Sequence, residues 1–210
     1  MTMPWQDFFH LLVNTYGAAG LVCGDDFRFG YKGQGNHLLL QEACEALDMP
    51  FRAVPQQYLG GVRISSTHIR QLLLQGEMER AVEFLGHPHI LSGTVVPGRQ
   101  IGRTIGIPTA NLSLPEALLI PRFGVYACLA RVEEATYLAV TNVGTRPTVS
   151  GENVTVEPWL LDFEGQLYGK KLTLEFYKFL RPEVKFPDLE SLQREIQKNA
   201  AETRKLFEKK

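Results

Sequence analysis

The feature that most constrains the fold is a change of hydrophobic pattern close to residue 90. Before that point, short apolar stretches such as GLVCGDDF and FRAVPQ alternate with segments of helical spacing such as residues 36–48. Strands that alternate with helices are typical of a parallel, doubly wound sheet. Residues 1–90 are therefore predicted to form an α/β domain.

After the change, strand-like stretches follow one another with glycine and proline between them: LSGTVV, GVYACLARV, TYLAVTNVG, VTVEPWLLDF and KLTLEFYKFL. This pattern predicts a small antiparallel barrel or sandwich over residues 91–180. Residues 186–208 have the apolar period and the charged outer face of one amphipathic helix. The second domain is expected to span residues 91–210.

Composition and charge argue against several classes of protein. The formal net charge is -1, which gives no sign of nucleic-acid binding through bulk charge. No apolar run approaches the roughly 18 residues that a membrane span needs. Cys23, Cys44 and Cys128 have no CxxC spacing, which argues against a disulfide framework and a zinc site. We expect a cytoplasmic protein whose partners are neither nucleic acids nor membranes.

The stretch GRQIGRTIGIPTAN, residues 98–111, places flexible backbone and positive charge just before a threonine and an asparagine. Glycines let backbone N–H groups approach phosphate oxygens closely. Thr109 and Asn111 would face the same way in an extended chain, and their oxygens are of the kind that magnesium takes. A simple turn that ends a strand is the alternative interpretation. The candidate phosphate-binding residues are Gly98, Arg99, Gly102, Arg103, Gly106 and Pro108.

A carboxylate that could move a proton is Glu157, in VTVEPWLLDF. Strand alternation predicts that it lies opposite Val154 and Val156. A carboxylate near a hydroxyl could accept its proton, but a solvent-facing strand glutamate is the commoner case, and the residues alone leave both open. Pro158 cannot donate a ladder hydrogen bond, so it indicates an edge strand or a bulge.

The segment ISSTHIR, residues 64–70, is predicted to start a helix. Thr67 suits the N-cap position. The hydroxyls of Ser65, Ser66 and Thr67, together with Arg70, could also form an anion site at the helix start. An ordinary N-cap is the simpler interpretation for Thr67 alone.

Several motifs, taken in order, resemble the bacterial bifunctional riboflavin kinase/FAD synthetase family. GDDFRFG and ISSTHIR resemble its nucleotidyltransferase domain, and GRxxGxPTAN, PxxGVY, NVGxRPT, LDFxGxLYG and LRPExKF resemble its kinase domain. The resemblance covers essentially the whole chain from residue 20 onward. It implies a Rossmann-like domain that attaches AMP to FMN, followed by a β-barrel with a C-terminal helix that phosphorylates riboflavin with ATP.

The resemblance also implies the roles of particular residues. Thr109 and Asn111 would bind Mg²⁺ and the nucleotide, with the glycine-rich stretch on ATP, and Glu157 would be the base. The flavin, as riboflavin or FMN, would meet Arg181, Glu183 and Phe186. The FMN side of the adenylyltransferase site would be lined by Asp26, Phe27, Ser65, Ser66, Thr67 and Arg70.

Two departures from the family pattern stand out. The GxFDGxHxGH-like loop that grips ATP for adenylyl transfer has no counterpart here, so we expect no FAD synthesis and a truncated first domain whose exposed sheet edge could favour a homo-oligomer. The family usually reads Glu-x-His, whereas Glu157 is followed by Pro158 and Trp159. Three alternatives stay open: a fragment of a complete bifunctional enzyme, a catalytically impaired flavin-binding protein, and a nucleotidyltransferase for another substrate.

Overall fold

A computed structural model describes residues 2–98, 102, 106–115, 118–148 and 151–208. The chain divides into two compact units, Met1–Ile64 and Ser65–Lys210. This division comes earlier than the change of sequence pattern near residue 90, because the helix Met78–Leu85 packs on strands of the second unit and the helix Ser66–Gln75 packs on that helix.

The N-terminal unit alternates short strands and helices. Its β1 and β4 pair in parallel, with Leu21 opposite Phe51, which confirms the predicted α/β character. Its elements are α1 (Trp5–His10), a π-helical turn (Leu11–Thr15), β1 (Leu21–Gly24), β2 (Arg28–Phe29), a 3₁₀ turn (Tyr31–Gly33), β3 (Gly35–Asn36), α2 (His37–Glu45), β4 (Phe51–Val54), β5 (Tyr58–Leu59) and β6 (Val62–Arg63).

A small apolar cluster holds the N-terminal unit together. Phe9, Phe29, Leu40 and Cys44 are buried at its centre. The helical spacing of residues 36–48 predicted α2, and the Asn36 side chain caps that helix by accepting a hydrogen bond from the Leu39 N–H at 3.0 Å.

The C-terminal unit is a nearly closed antiparallel barrel with helices packed on it. The strand order is β11-β10-β9-β12-β7-β8. Its elements are α3 (Ser66–Gln75), α4 (Met78–Leu85), β7 (His89–Val96), β8 (Asn111–Ser113), β9 (Gly124–Val132), β10 (Ala135–Thr148), β11 (Gly151–Leu160), β12 (Lys171–Arg181) and α5 (Leu189–Phe207).

The two end strands of the barrel sheet approach each other at one point. The Ala110 N–H, just before β8, donates to the Pro158 carbonyl of β11 at 2.9 Å. This bond draws the sheet towards closure and leaves few open strand edges. Pro158 lies on an end strand of the sheet order, as its missing donor predicted.

The start of α3 differs from the sequence prediction. Ser65 has extended backbone, and its hydroxyl accepts the His68 N–H at 3.2 Å. Ser65 is therefore the N-cap, and Thr67 lies inside the first turn. The prediction of Thr67 as the cap was wrong because ISST contains three residues able to cap, and the chain enters the helix at the earliest of them.

The predicted C-terminal helix is confirmed as α5. Its N-cap is Asp188, whose carboxylate accepts the Ser191 N–H at 2.7 Å. The helix packs on β9 and β10 and buries Asn199, Ala200 and Thr203. In the part of the chain that the structure describes, no helix combines the length and the apolar character that crossing a membrane requires.

Candidate active site

A cavity of about 300 Å³ lies in the barrel unit, between the strands and α5. It brings together Gly102, Thr109, Glu157, Arg181, Glu183 and Phe186, which the sequence singled out in three separate segments. The remaining lining residues are Ile107, Val125, Val140, Asn142, Trp159, Val184, Leu192, Ile196 and Asn199. Most of this second group is apolar, so the cavity combines an apolar wall with a few polar groups.

Glu157 reaches the cavity because of strand alternation. Its neighbour Val156 is only 1% exposed and points to the other side, as the alternation of valines predicted. Trp159, two residues further on, shares the face of Glu157 and also lines the cavity. Across the ladder, Glu157 lies opposite Asn142 of β10.

Asn142 is a cavity residue to which the sequence analysis gave no role. Its side-chain amide donates to the Glu183 carboxylate at 3.1 Å. Through that bond, and as the cross-strand neighbour of Glu157, it links the strand carboxylate to the loop carboxylate. Its position as the first residue of NVGTRPT was the signal that could have revealed it.

The loop after β12 lies against β10 through Glu183. A Cβ added to Gly144 would meet the Glu183 carboxylate at 2.1 Å, so only a glycine leaves room for the carboxylate at that place. The structure thus places Glu183 at the rim of the cavity, held by Asn142 and by the bare backbone of Gly144.

Arg181 joins the end of β12 to α5. Its Nε donates to the Asn199 side-chain oxygen at 3.0 Å, and it pairs with Glu195 at 3.6 Å. Its guanidinium lies 5.4 Å from the centre of the Phe186 ring. Burial lowers the pKa of Arg181, and the carboxylates of Glu195 and Glu183 oppose that shift.

Gly98 and Gly102 both lie close to residues 107–111. A Cβ on Gly98 would lie 2.1 Å from the Asn111 amide nitrogen, and one on Gly102 would lie 2.1 Å from the Ile107 carbonyl oxygen. Gly106 has a φ of 71°. Close approach, rather than flexibility alone, therefore requires glycine at Gly102, where the near atom is backbone, while at Gly98 a side chain would displace the Asn111 amide. Arg99 and Arg103 lie outside the described residues.

Thr109 and Asn111 share one face, as their spacing predicted. Ala110 and Leu112 are buried while Thr109 and Asn111 are partly exposed. Thr109 lines the main cavity and also a second cavity of about 80 Å³. Pro108, Ala110, Pro158, Phe163 and Tyr168 are among the other residues of the second cavity. The two cavities therefore adjoin at Thr109.

The donor set around Thr109 fits one kind of metal better than another. Its hydroxyl and the Asn111 amide are hard oxygen donors. Among the described residues, no group of three or more histidine, cysteine, aspartate or glutamate side chains gathers as a metal site. A metal here would need phosphate and water oxygens to complete its shell, which suits Mg²⁺ and not Zn²⁺.

The residues predicted for adenylyl transfer fall in both units. In the N-terminal unit, the Asp26 carboxylate forms an ion pair with Arg63, and the Phe27 ring stacks on Phe29 with centres 5.3 Å apart. In the C-terminal unit, Ser65 precedes α3, while Ser66, Thr67 and Arg70 lie within it.

Comparison with known proteins identifies the family. The riboflavin kinase family model matches residues 85–207, and the FAD synthetase family model matches residues 1–68. A bifunctional riboflavin kinase/FMN adenylyltransferase of Listeria monocytogenes is 37% identical over 192 residues, which cover 90% of this chain and 60% of that protein. The Escherichia coli protein of the same name is 40% identical over 198 residues, covering 94% and 63%.

A solved structure of a protein described as a macrolide-efflux protein from Streptococcus pneumoniae has the same fold, with a TM-score of 0.86 and 31% identity. The match covers 97% of this chain and 66% of that chain. The chain spans about 60% of the length of the curated relatives it matches. Because the riboflavin kinase model matches well over half of its residues, this protein belongs to the riboflavin kinase family.

Proposed function

We propose that this chain is a riboflavin kinase, which transfers the γ-phosphoryl group of ATP to the 5′-hydroxyl of riboflavin and so makes FMN for FMN and FAD biosynthesis. The observation that carries the proposal is that Glu157 and Thr109 line the same cavity. One is a carboxylate able to take a proton, and the other is a hydroxyl beside described glycines of the glycine-rich stretch. When the hydroxyl of a substrate attacks a phosphate, one group must take the proton and another must help to hold the phosphate.

The substrate fits the cavity with its polar tail towards Glu157. The flavin ring system is flat and largely apolar, and Val125, Val140 and Ile196 offer an apolar wall. Glu183, Arg181 and Phe186 stand at the loop side of the cavity, where they would cover the bound flavin. Arg181 acts mainly by holding that loop to α5, through Asn199.

Glu157 is the proposed base. As the 5′-oxygen forms its bond to the γ-phosphorus, the bond from that phosphorus to the bridging oxygen of ADP breaks, and ADP takes the electron pair. The hydroxyl proton passes to the Glu157 carboxylate. Asn142, directly across the ladder, and Glu183 beyond it would orient the carboxylate and the ribityl hydroxyls.

The nucleotide is assigned to the second cavity and the glycine-rich loop. Thr109 belongs to both cavities, so a nucleotide that enters along Pro108 and Phe163 would bring its terminal phosphate to the flavin side at that residue. Backbone N–H groups near Gly98, Gly102 and Gly106, with Arg99 and Arg103, would then bind the phosphates. Thr109 and Asn111 would hold Mg²⁺, which would neutralise phosphate charge.

We further propose that this chain alone makes no FAD. The support is the missing GxFDGxHxGH-like loop, since adenylyl transfer then lacks the groups that bind the ATP phosphates.

One alternative is that the chain is a fragment of a complete bifunctional enzyme, which its 60% share of the Listeria relative favours. The other is a flavin-binding protein with impaired catalysis, which the presence of Trp159 beside Glu157 favours.

Cellular setting and assembly belong to the same proposal. Cys23, Cys44 and Cys128 are free thiols, as a reducing cytoplasm would keep them.

Val22 and Val54, on the parallel strand pair of the N-terminal unit, are exposed and would favour a homo-oligomer through that unit. Light scattering during size-exclusion chromatography tests this, and a monomer at every concentration would refute it.

The test of function is a chromatographic assay of flavins after incubation with riboflavin, ATP and Mg²⁺. We expect FMN and no FAD from the native chain. A Glu157→Gln variant should lose about 10²- to 10⁴-fold in kcat, the usual contribution of a general base. A Glu164→Gln variant, at an exposed position outside both cavities described here, is the matched control. Bound riboflavin without FMN would favour the impaired binding protein, and FAD would contradict the proposal for the N-terminal unit.

A further inference from the structure

Trp159 stands where it can contact the substrate of the proposed reaction. It lines the main cavity on the same strand face as Glu157, while Pro158 between them lines the second cavity. The family pattern usually has a histidine at this position. We propose that the Trp159 indole stacks on the isoalloxazine ring of riboflavin, an inference that rests on the proposed kinase function.

In the β10–β11 ladder, one cross-strand residue pair, or rung, is polar, and the next rung on the same face is apolar. Asn142 lies opposite Glu157, and the next rung on that face pairs Val140 with Trp159. Trp159 also packs against an apolar cluster made by Val140, Val125, Leu161 and Ala200. The reacting end of the substrate therefore belongs at the first rung and its ring system at the second.

The spacing of the two rungs matches the shape of riboflavin. Two residues along a strand span about 6.6 Å. A five-carbon ribityl chain, which separates the flavin ring from the reacting hydroxyl, is of comparable length. A riboflavin whose 5′-hydroxyl reaches Glu157 thus has its ring level with Trp159.

The other side of the cavity also favours a flat ring. The helix α5 contributes Leu192, Ile196 and Asn199 to the same lining. The Asn199 oxygen is already taken by Arg181, and Asn199 is only 2% exposed, so this part of the wall is fixed. A rigid apolar wall and an electron-rich indole suit an electron-poor tricyclic ring better than they suit a sugar or a phosphate.

Flavin fluorescence provides a direct test. An indole in contact with an excited flavin quenches its emission by donating an electron, which then returns to the indole. Light in the visible range excites riboflavin but not tryptophan. Trp5 and Trp159 are the two tryptophans of the chain, so Trp5→Phe is a matched control. Binding is measured separately by equilibrium dialysis of riboflavin, and folding by circular dichroism.

We expect bound riboflavin to be dim in the native protein and in Trp5→Phe, and bright in Trp159→Phe. Riboflavin affinity should fall by about tenfold in Trp159→Ala, as expected for loss of one stacking contact, and by less in Trp159→Phe and Trp159→His, which keep an aromatic ring. FMN formation with bright bound riboflavin in the native protein would overturn the stacking and leave the kinase intact. Tighter binding in Trp159→His would overturn it as well, because the indole would then obstruct the ring. No riboflavin binding by any variant would overturn both proposals.

Discussion

The barrel and the N-terminal unit differ in how many of their strands have hydrogen-bonded neighbours on both sides. In the barrel, β9, β10, β12 and β7 each have a hydrogen-bonded neighbour on both sides, and the end strands meet at Pro158. In the N-terminal unit, β1 and β4 form a two-stranded parallel sheet, and Val22 and Val54 on it are 70% and 42% exposed. Parallel sheets are normally covered on both faces. An antiparallel barrel can thus be complete in itself, whereas a parallel pair depends on further neighbours.

The same contrast holds for the cores. The N-terminal unit packs around four buried residues, while the barrel encloses many, including Tyr126, Phe176, Leu172 and Leu174, which are fully buried. Independent stability generally needs at least three strands or a substantial covered face. We therefore expect the barrel to set the stability of the chain and to carry its activity.

The largest expected effect comes from removing one buried aromatic ring from the core of either unit. Phe176→Ala removes a ring that contacts Tyr126 and should lower the free energy of unfolding by about 3–5 kcal/mol and abolish FMN formation. Phe29→Ala should loosen the N-terminal unit while FMN formation continues. Hydrogen exchange followed residue by residue separates the two outcomes. If Phe29→Ala also unfolds the barrel, the two units are not independent.

A smaller effect is expected from two polar side chains, Asn199 in the C-terminal unit and Asp25 in the N-terminal unit. Asn199→Leu would remove the hydrogen-bond acceptor of the Arg181 Nε and leave it only the longer contact with Glu195, at a cost of about 1–3 kcal/mol in unfolding free energy. In the N-terminal unit, one buried oxygen of Asp25 has no hydrogen-bond partner within the described residues. Asp25→Asn should therefore be neutral or stabilising in urea titrations. An equal loss in both variants would mean that Asp25 is as well partnered as Asn199.

The smallest expected effect is on the pH dependence of the barrel's stability to unfolding. Burial lowers the pKa of His89, the Leu119 carbonyl opposes that shift, and His87 adds to it. The folded state thus favours the neutral ring, so its contribution to stability is complete above the unfolded pKa of about 6.5 and is lost as pH falls through the lower folded value. His89→Asn should flatten the pH profile of urea unfolding below neutrality. Thr94→Asn, on the same strand, should keep the native slope.

The sequence predicted those elements whose pattern is local. The long strands β9, β10 and β12 were marked by apolar runs between turn residues, and α5 by its period. The strand β8 was missed because it has three residues and follows a glycine-rich stretch of sequence. The N-cap of α3 was misplaced at Thr67 because Ser65 has the same capping chemistry two residues earlier.

Residues that line the cavity could be predicted where chemistry and motif coincide, but not where the strand register determines which residues meet. Thr109 and Glu157 were identified from their oxygen chemistry and from the family resemblance. Asn142 owes its place to the β10–β11 register, which no spacing within one strand reveals. The partners of Arg181, Glu195 and Asn199, come from the packing of α5 on the barrel, a contact between distant parts of the chain.

The bond between Ala110 and Pro158 has a consequence for heat sensitivity. Thr109 and Glu157 each immediately precede one partner of that bond, so the seam of the barrel also sets the spacing of the proposed Mg²⁺ ligand and the proposed base. Pro158 can accept at the seam but cannot donate, which makes this joint weaker than an ordinary ladder. Warming should loosen the seam before the barrel melts, and catalysis should therefore fade at temperatures where the fold is still intact.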